Sequence, residues 1–361
     1  RVLFRSRFQA GGAPIAMVSM DNCARNGEKL RAGVLSMARG WAERGLVESA
    51  FLDWLEDEGR VSFPWSMIDK ITPHPSERVQ EELGRLGVAD MAIARTNTGT
   101  LIAPFVNAEI TEYLVLEDAF PNGRPALEGA GVYLTDRTTV EKAEKMKVGT
   151  CLNPLHTALA VYGCLLGYTS IAAEMGDADL KALVEHIAAE SLPVVEDPGI
   201  LSPRAFIDEV LHERFPNPAI PDTPQRIAAD TSQKLPVRYG GTLRRYARQS
   251  EQALAGLEFA PLVFAGWCRY LLGVDDRGNA MPVSPDPMLP QLQAHLKGIE
   301  VGRPDSLAGQ LRPILSNAAL FGVDLYAAGL GERTEEMFRD MLAGPGAVRA
   351  TLHRNCVCKQ P

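Results

Sequence analysis

The sequence predicts an α/β region followed by a predominantly α-helical domain, and two patterns carry that expectation. As far as about residue 134, short strand-like apolar runs alternate with helical stretches and turn clusters such as Pro121-Asn-Gly-Arg-Pro125. From about residue 136 the periodicity is helical and stays so, punctuated only by Pro and Gly. The shift places a domain boundary at 147/148, giving an α/β part over 1–147 and a helical part over 148–361.

Taken in order, residues 14–20 (Pro-Ile-Ala-Met-Val-Ser-Met) read as a buried strand that ends in the Asp21-Asn22 turn. Two amphipathic helices follow within 26–58. Strand-like runs come next at Met91–Ala94, Thr100–Phe105, Glu112–Leu116 and Gly131–Leu134. Helices are then expected near 136–146, 154–173, 177–191, 203–213, 222–233, 242–256, 259–273, 288–298, 306–317 and 332–353. No period of 20–50 residues repeats, which excludes a solenoid.

Composition narrows the function classes. Hydrophobic residues make up 46% of the 361 and charged residues 23%, ordinary values for a globular protein. A formal net charge of −8 with no basic stripe argues against nucleic-acid binding. No apolar run reaches the roughly 20 residues of a membrane span; the nearest, Leu152–Tyr168, contains His156. The cysteines (Cys23, Cys151, Cys164, Cys268, Cys356, Cys358) match neither a zinc spacing nor a disulfide framework. Without a secretory signal they read as reduced thiols of a cytoplasmic protein. The histidines form no HxxEH or HExxH pattern, so no metal is expected and any alcohol chemistry must rely on a side-chain base.

The stretch Lys147-Val-Gly-Thr-Cys-Leu-Asn-Pro-Leu-His156 is the richest in chemistry. Asn153 before Pro154 is a helix-start signal: Asn caps the free first-turn amides, and Pro fits the first helical position. His156 falls about one turn on, nearly on the same face. The positive end of the helix dipole disfavours imidazolium, and a poorly solvated lysine gives up its proton more readily. Lys147, Asn153 and His156 therefore suit proton transfer; equally, they read as a surface lysine, a plain cap and a core histidine.

Further motifs stand around this one, in a fixed order. Ser19-Met-Asp-Asn-Cys-Ala-Arg-Asn-Gly27 and Phe63-Pro-Trp-Ser-Met-Ile-Asp-Lys-Ile-Thr-Pro73 precede it; Arg214-Phe-Pro-Asn-Pro-Ala-Ile220 and Ser232-Gln-Lys-Leu-Pro236 follow. Over nearly the whole chain this series resembles the polyol-specific long-chain dehydrogenases, the family of mannitol 2-dehydrogenase and fructuronate reductase (mannonate oxidoreductase). The resemblance implies a metal-independent, NAD-dependent oxidoreductase, NADP not being excluded, that interconverts a sugar-derived secondary alcohol and its ketone. D-Mannonate/D-fructuronate is the first expectation and mannitol/fructose the second. A non-catalytic sugar-acid-binding helical domain is the alternative from another class.

Residue by residue, the resemblance implies that Lys147 is the general base. Asn22 and Asn153 are then the amide pair on the developing alkoxide, and His156 hydrogen-bonds the reacting oxygen. Asp69 lies at the nicotinamide end of the cofactor, and Arg226 and Lys234 meet the remote substrate groups. The family places its lysine five residues before the asparagine. Lys147 is six before Asn153, which implies an insertion near Gly149, with Lys145 as the alternative base. Family members also carry a glycine-rich βα turn ahead of the first strand. Here only Gly129-Ala-Gly131 and Gly329-Leu-Gly331 approximate it, so the first domain reads as the remnant of a Rossmann-type domain and Arg1–Ser6 as junction sequence. The expected partner is a small sugar acid or polyol, and the expected state a monomer or weak oligomer.

Overall fold

The computed structural model describes residues 2–358, and two compact units divide them. The first comprises 1–71, 109–145 and 196–201; the second comprises 72–108, 146–195 and 202–361. Arg1 and residues 359–361 lie outside the described residues.

The first unit is α/β. Strand Ile15–Ala16 runs into helices Asn26–Glu43 and Ser49–Glu56 and returns as Val61–Ser62, parallel to the first strand. A parallel return through helices is the crossover that parallel strands require. A second sheet has Ser66–Asp69 antiparallel to Tyr113–Glu117, which in turn pairs in parallel with Tyr133–Thr135. Phe4, Leu35, Phe51, Trp54, Leu55 and Phe63 form the core beside the first strand pair. Helix Val2–Gln9 supplies Phe4, so the segment expected to be junction sequence contributes to this core.

The strand expected over 14–20 is confined to Ile15–Ala16. Beyond Met17, whose N–H still reaches Ser62 O, side chains replace the ladder: Ser66 Oγ donates to Ser19 O at 2.7 Å. Asn26, 2% exposed, is the hub of this exchange. Its Nδ2 donates to Asp21 O (2.9 Å) and Ser66 O (3.1 Å), while its Oδ1 accepts from Gly27 N and Ser66 N. Gly27 is held just as tightly, since a Cβ there would lie 2.4 Å from Phe63 O. The motifs around Asn26 and Phe63 are thus two sides of one packed junction.

The second unit is helical apart from residues 72–108. That arm holds helix Glu77–Arg85, where no helix was expected, and a two-residue hairpin pairing Ala94–Arg95 with Leu101–Ile102. The two strands expected at 91–94 and 100–105 shrink to this hairpin. Helix Asn153–Leu166 is central, with Leu155, Leu159, Ala160 and Tyr162 fully buried. It packs on Phe259–Tyr270, where Tyr162 Oη donates to Leu262 O at 2.7 Å. Several expected helices are shorter or split. The one expected over 154–173 stops at Gly167 (φ 82°), where a left-handed residue ends the helix. The span 222–233 divides at Asp230 (φ 52°) into Pro224–Ile227 and Thr231–Arg238. Leu235-Pro-Val237 lies inside the latter helix. Among the described residues no helix is long and apolar enough to cross a membrane.

Candidate active site

Five of the expected site residues, Lys147, Asn153, His156, Arg226 and Lys234, belong to the second unit; Asn22 and Asp69 belong to the first. Lys147 is 2% exposed, which excludes the surface reading. Lys145, its alternative, is half-exposed and paired with Glu141 (3.3 Å) and Glu196 (3.7 Å).

The extra residue between Lys147 and Asn153 has a structural answer. Lys147–Cys151 is a turn of π-helix, closed by Leu152 N donating to Lys147 O at 3.1 Å. A π-turn absorbs one residue more than an α-turn, and such turns often mark functional positions. Gly149 needs no unusual backbone for this: its φ is not positive, and Thr242 Oγ1 caps its carbonyl at 3.1 Å.

The cap assignment is corrected. The π-turn runs into the next helix through Leu152, so Asn153 is the first helical residue and its side chain caps nothing. Its half-exposed amide makes no hydrogen bond to the described residues, which leaves it available to a ligand. His156, 8% exposed, lies one turn further along. Phe215 of the Arg214 motif packs against its ring at 5.1 Å, with Arg214 in turn set over Phe206.

His156 Nε2 lies 3.0 Å from Asp222 Oδ2, close enough for the two to interact but outside good hydrogen-bond geometry, so the nitrogen is left unsaturated. Burial holds the imidazole below its ordinary pKa and outweighs the opposing pull of Asp222, so the ring is neutral at pH 7. Burial would raise Asp222, but His156 and Arg226 together hold it below the usual carboxylate range. Asp222 Oδ1 accepts from Arg226 Nε (2.9 Å) and Nη2 (2.6 Å). Asp222 therefore ties together His156 and Arg226, two residues that the sequence nominated separately. Sequence reading missed Asp222; its position four residues before Arg226, at i, i+4, was the available signal.

Lys234 Nζ donates to Ile227 O (3.0 Å) and Ala229 O (2.5 Å), closing the end of the short helix Pro224–Ile227. Burial, with Arg238 adding to it, pushes this amine down to about 8. Arg238, also missed from sequence, stands one turn after Lys234. Its Nη1 donates to Thr157 Oγ1 at 2.6 Å and, at 3.4 Å, to Asn153 O. In the first unit, Asp69 is 4% exposed and pairs across the sheet with Tyr113, whereas Asn22 lies exposed in the loop that Asn26 anchors. Among the described residues no three His, Cys, Asp or Glu side chains gather to hold a metal ion.

Of the two glycine pairs, Gly131 (φ 80°) ends a 3-10 turn and Gly331 packs against the Tyr326 ring, so both have structural duties. A buried lysine on a π-turn, a free amide and a neutral imidazole follow one another along one helix entrance. That set defines a class, proteins whose side chains are able to move a proton at an oxygen.

Comparison with known proteins makes the class specific. The family described as Mannitol dehydrogenase C-terminal domain matches residues 139–333, and the chain belongs to the mannitol dehydrogenase family. The chain is 56% identical over 352 residues to D-mannonate oxidoreductase of Thermotoga maritima, covering 97% of this chain and 65% of that protein. A mannitol 2-dehydrogenase of Aspergillus fumigatus is 33% identical over 88% of the chain and 57% of its own length. Among solved structures, Pseudomonas fluorescens mannitol 2-dehydrogenase, in ternary complex with NAD and D-mannitol, superposes with a TM-score of 0.71 at 29% identity. That match covers 99% of this chain and 65% of the other. A substrate-free D-sorbitol dehydrogenase superposes with a TM-score of 0.76 at 25% identity over 97% and 64% of the two chains. The chain thus spans less than two thirds of the length of these relatives, from 57% to 65%.

Proposed function

We propose that this chain belongs to an NAD-dependent secondary-alcohol dehydrogenase that interconverts D-mannonate and D-fructuronate. The observation that carries the reading is the buried Lys147 on its π-turn, six residues before the uncapped Asn153 and nine before a neutral His156. The substrate assignment is supported by the 56% identity to a D-mannonate oxidoreductase, against 33% to a mannitol 2-dehydrogenase.

In this mechanism Lys147 takes the proton from the substrate hydroxyl. The Asn153 amide donates to the oxygen as negative charge grows, which is where a preorganised donor lowers a barrier most. His156, kept neutral by burial, hydrogen-bonds the same oxygen through its unfilled capacity. The family resemblance adds Asn22 as a second amide donor. It also assigns Asp69 to the nicotinamide end of the cofactor, a duty that suits a buried carboxyl because it can accept from amide or hydroxyl groups. Bound NAD would supply the hydride acceptor. Lys234 and Arg226 hold the far end of the sugar. The protein works in the cytoplasm as a monomer or weak oligomer, without nucleic acid.

The test is NAD reduction by the purified chain with D-mannonate and with D-mannitol, in the wild type and in Lys147→Ala. Turnover of D-mannonate that is lost in Lys147→Ala supports the reading. Binding of D-mannonate without turnover would favour the non-catalytic binding domain instead.

A further inference from the structure

Besides Lys147, the second unit places Arg226, Lys234 and Arg238 near the helix entrance, and these are not equivalent. Arg226 is already neutralised, with Nε and Nη2 both donating to Asp222 Oδ1. Lys234 and Arg238 have no such ion pair among the described residues, and Asp230 and Asp286 act on Lys234 only from beyond that distance. The two cations stand four apart on helix Thr231–Arg238, which makes them neighbours on its surface. Among the described residues no carboxylate lies within ion-pair distance of either; their partners are backbone carbonyls, Thr157 Oγ1 and Asn153 O. Arg238 uses only Nη1, leaving Nε and Nη2 without a hydrogen bond to the described residues.

Two partly buried like charges side by side are costly, because buried charges are normally paired. Desolvation pushes Arg238 down to about 10, still charged at pH 7, and Arg238 in turn disfavours the charged form of Lys234. An anionic ligand group seated beside them would offset that cost. The planar guanidinium fork suits a carboxylate, and the bonds to Asn153 O and Thr157 fix it against the turn that carries Asn153 and His156.

We propose that Arg238, seconded by Lys234, is the seat of the substrate's carboxylate and sets the preference for a sugar acid over a neutral polyol, with Arg226 left to hydroxyl groups. This deepens the D-mannonate reading and rests on it for the substrate class.

The experiment is calorimetric titration of the 361-residue chain with D-mannonate and with D-mannitol, which needs neither cofactor nor turnover. The wild type should prefer the acid, and Arg238→Met should reduce that preference about tenfold to a hundredfold, the range for a hydrogen bond to a charged group. Arg238→Lys keeps the charge and loses the fork, so only part of the preference should survive. It also decides the matter if Arg238→Met fails to fold. Arg226→Met should keep the preference. The proposal is overturned if the preference survives in both Arg238 variants, if Arg226→Met removes as much of it, or if the wild type binds neither ligand or both equally. NAD reduction is read separately: a chain that seats D-mannonate through Arg238 but does not oxidise it refutes the proposed activity and not the carboxylate seat.

Discussion

The junction around Asn26 and the helix entrance around Asn153 are both built from motif asparagines, and they treat their polar groups in opposite ways. Asn26 is buried and satisfied on both sides of its amide, by Asp21, Gly27 and Ser66. The side-chain amide of Asn153 caps nothing and bonds no described residue, while His156 Nε2 nearby is buried with an unfilled hydrogen bond. Buried polar atoms in proteins are nearly always partnered, so the saturated Asn26 needs no further explanation and the open nitrogen of His156 does. Recurrence of a motif cannot distinguish the two; hydrogen-bond accounting can.

The sharpest test of that contrast is Lys147→Ala. If the helix entrance is chemical machinery, oxidation of D-mannonate should fall by roughly 10²–10⁴-fold, the usual effect of losing a general acid–base group. Lys145→Ala, at the half-exposed lysine paired with Glu141 and Glu196, should leave the rate within about twofold, as surface ion pairs contribute little. Single-turnover NAD reduction reads both variants. The reverse ranking would move the base to Lys145 and leave the π-turn without a role.

The next effect concerns Glu174, fully buried with neither oxygen hydrogen-bonded and lying where a side chain on Gly163 would be, 2.1 Å from that Cβ position. Burial, with Asp222 and Asp177 adding to it, pushes this carboxyl up to about 9. The folded chain therefore keeps a proton that the unfolded chain releases near pH 4.3. The stabilisation is complete below that pH and drains away as pH rises toward about 9. Denaturant titrations between pH 5 and 9 should show a decline on the order of a few kcal/mol. In Glu174→Gln, which has no proton to lose, that part of the slope should disappear. An unchanged slope would mean that Glu174 is ionised and partnered after all.

Sequence made the division of labour legible more readily than its boundaries. The run of apolar residues after Asn153 fixed a buried helix, and the helical second half followed from periodicity alone. The Met91–Ala94 and Thr100–Phe105 strands were overread, because β-like residues need a sheet neighbour and this arm offers only a two-residue hairpin. The Glu77–Arg85 helix buries no residue, and its narrow apolar stripe, Val79, Leu83 and Leu86, was lost among charged neighbours. At the site, Lys147, Asn153 and His156 could be named from one decapeptide. Asp222 and Arg238 could not, since their importance lies in which partners they have and lack once 66 to 85 residues of intervening chain have folded back.

A smaller effect, from the other side of the contrast, should come from Gly27→Ala. The added Cβ meets the Phe63 carbonyl at 2.4 Å and backbone must move, which should cost about 1–3 kcal/mol in chemical denaturation. If the junction is packing alone, D-mannonate affinity of the folded fraction stays unchanged. A matching loss of affinity would blur the line drawn between the two asparagines.

The smallest effect should come from Asp222→Asn, and it tests whether that carboxylate orders the site or merely fills it. Removing the charge takes away what opposes burial at His156, so the ring's pKa should fall further below its ordinary value. A histidine with a depressed folded-state pKa stabilises the fold above its unfolded value of about 6.5, and that contribution is lost as pH falls through the folded value. Acid unfolding should therefore begin in the same region in both proteins but deepen more in Asp222→Asn. Ring-nitrogen NMR of His156 from pH 7 downward reads the shift directly. Arg226 keeps an acceptor in the Asn side chain but loses its counter-charge. Because its own side chain is 53% exposed, KM for D-mannonate should rise no more than about fivefold. A far larger rise with the His156 titration unmoved would show that Asp222 serves Arg226 alone, and that His156 owes its neutrality and its open nitrogen to burial beside Phe215.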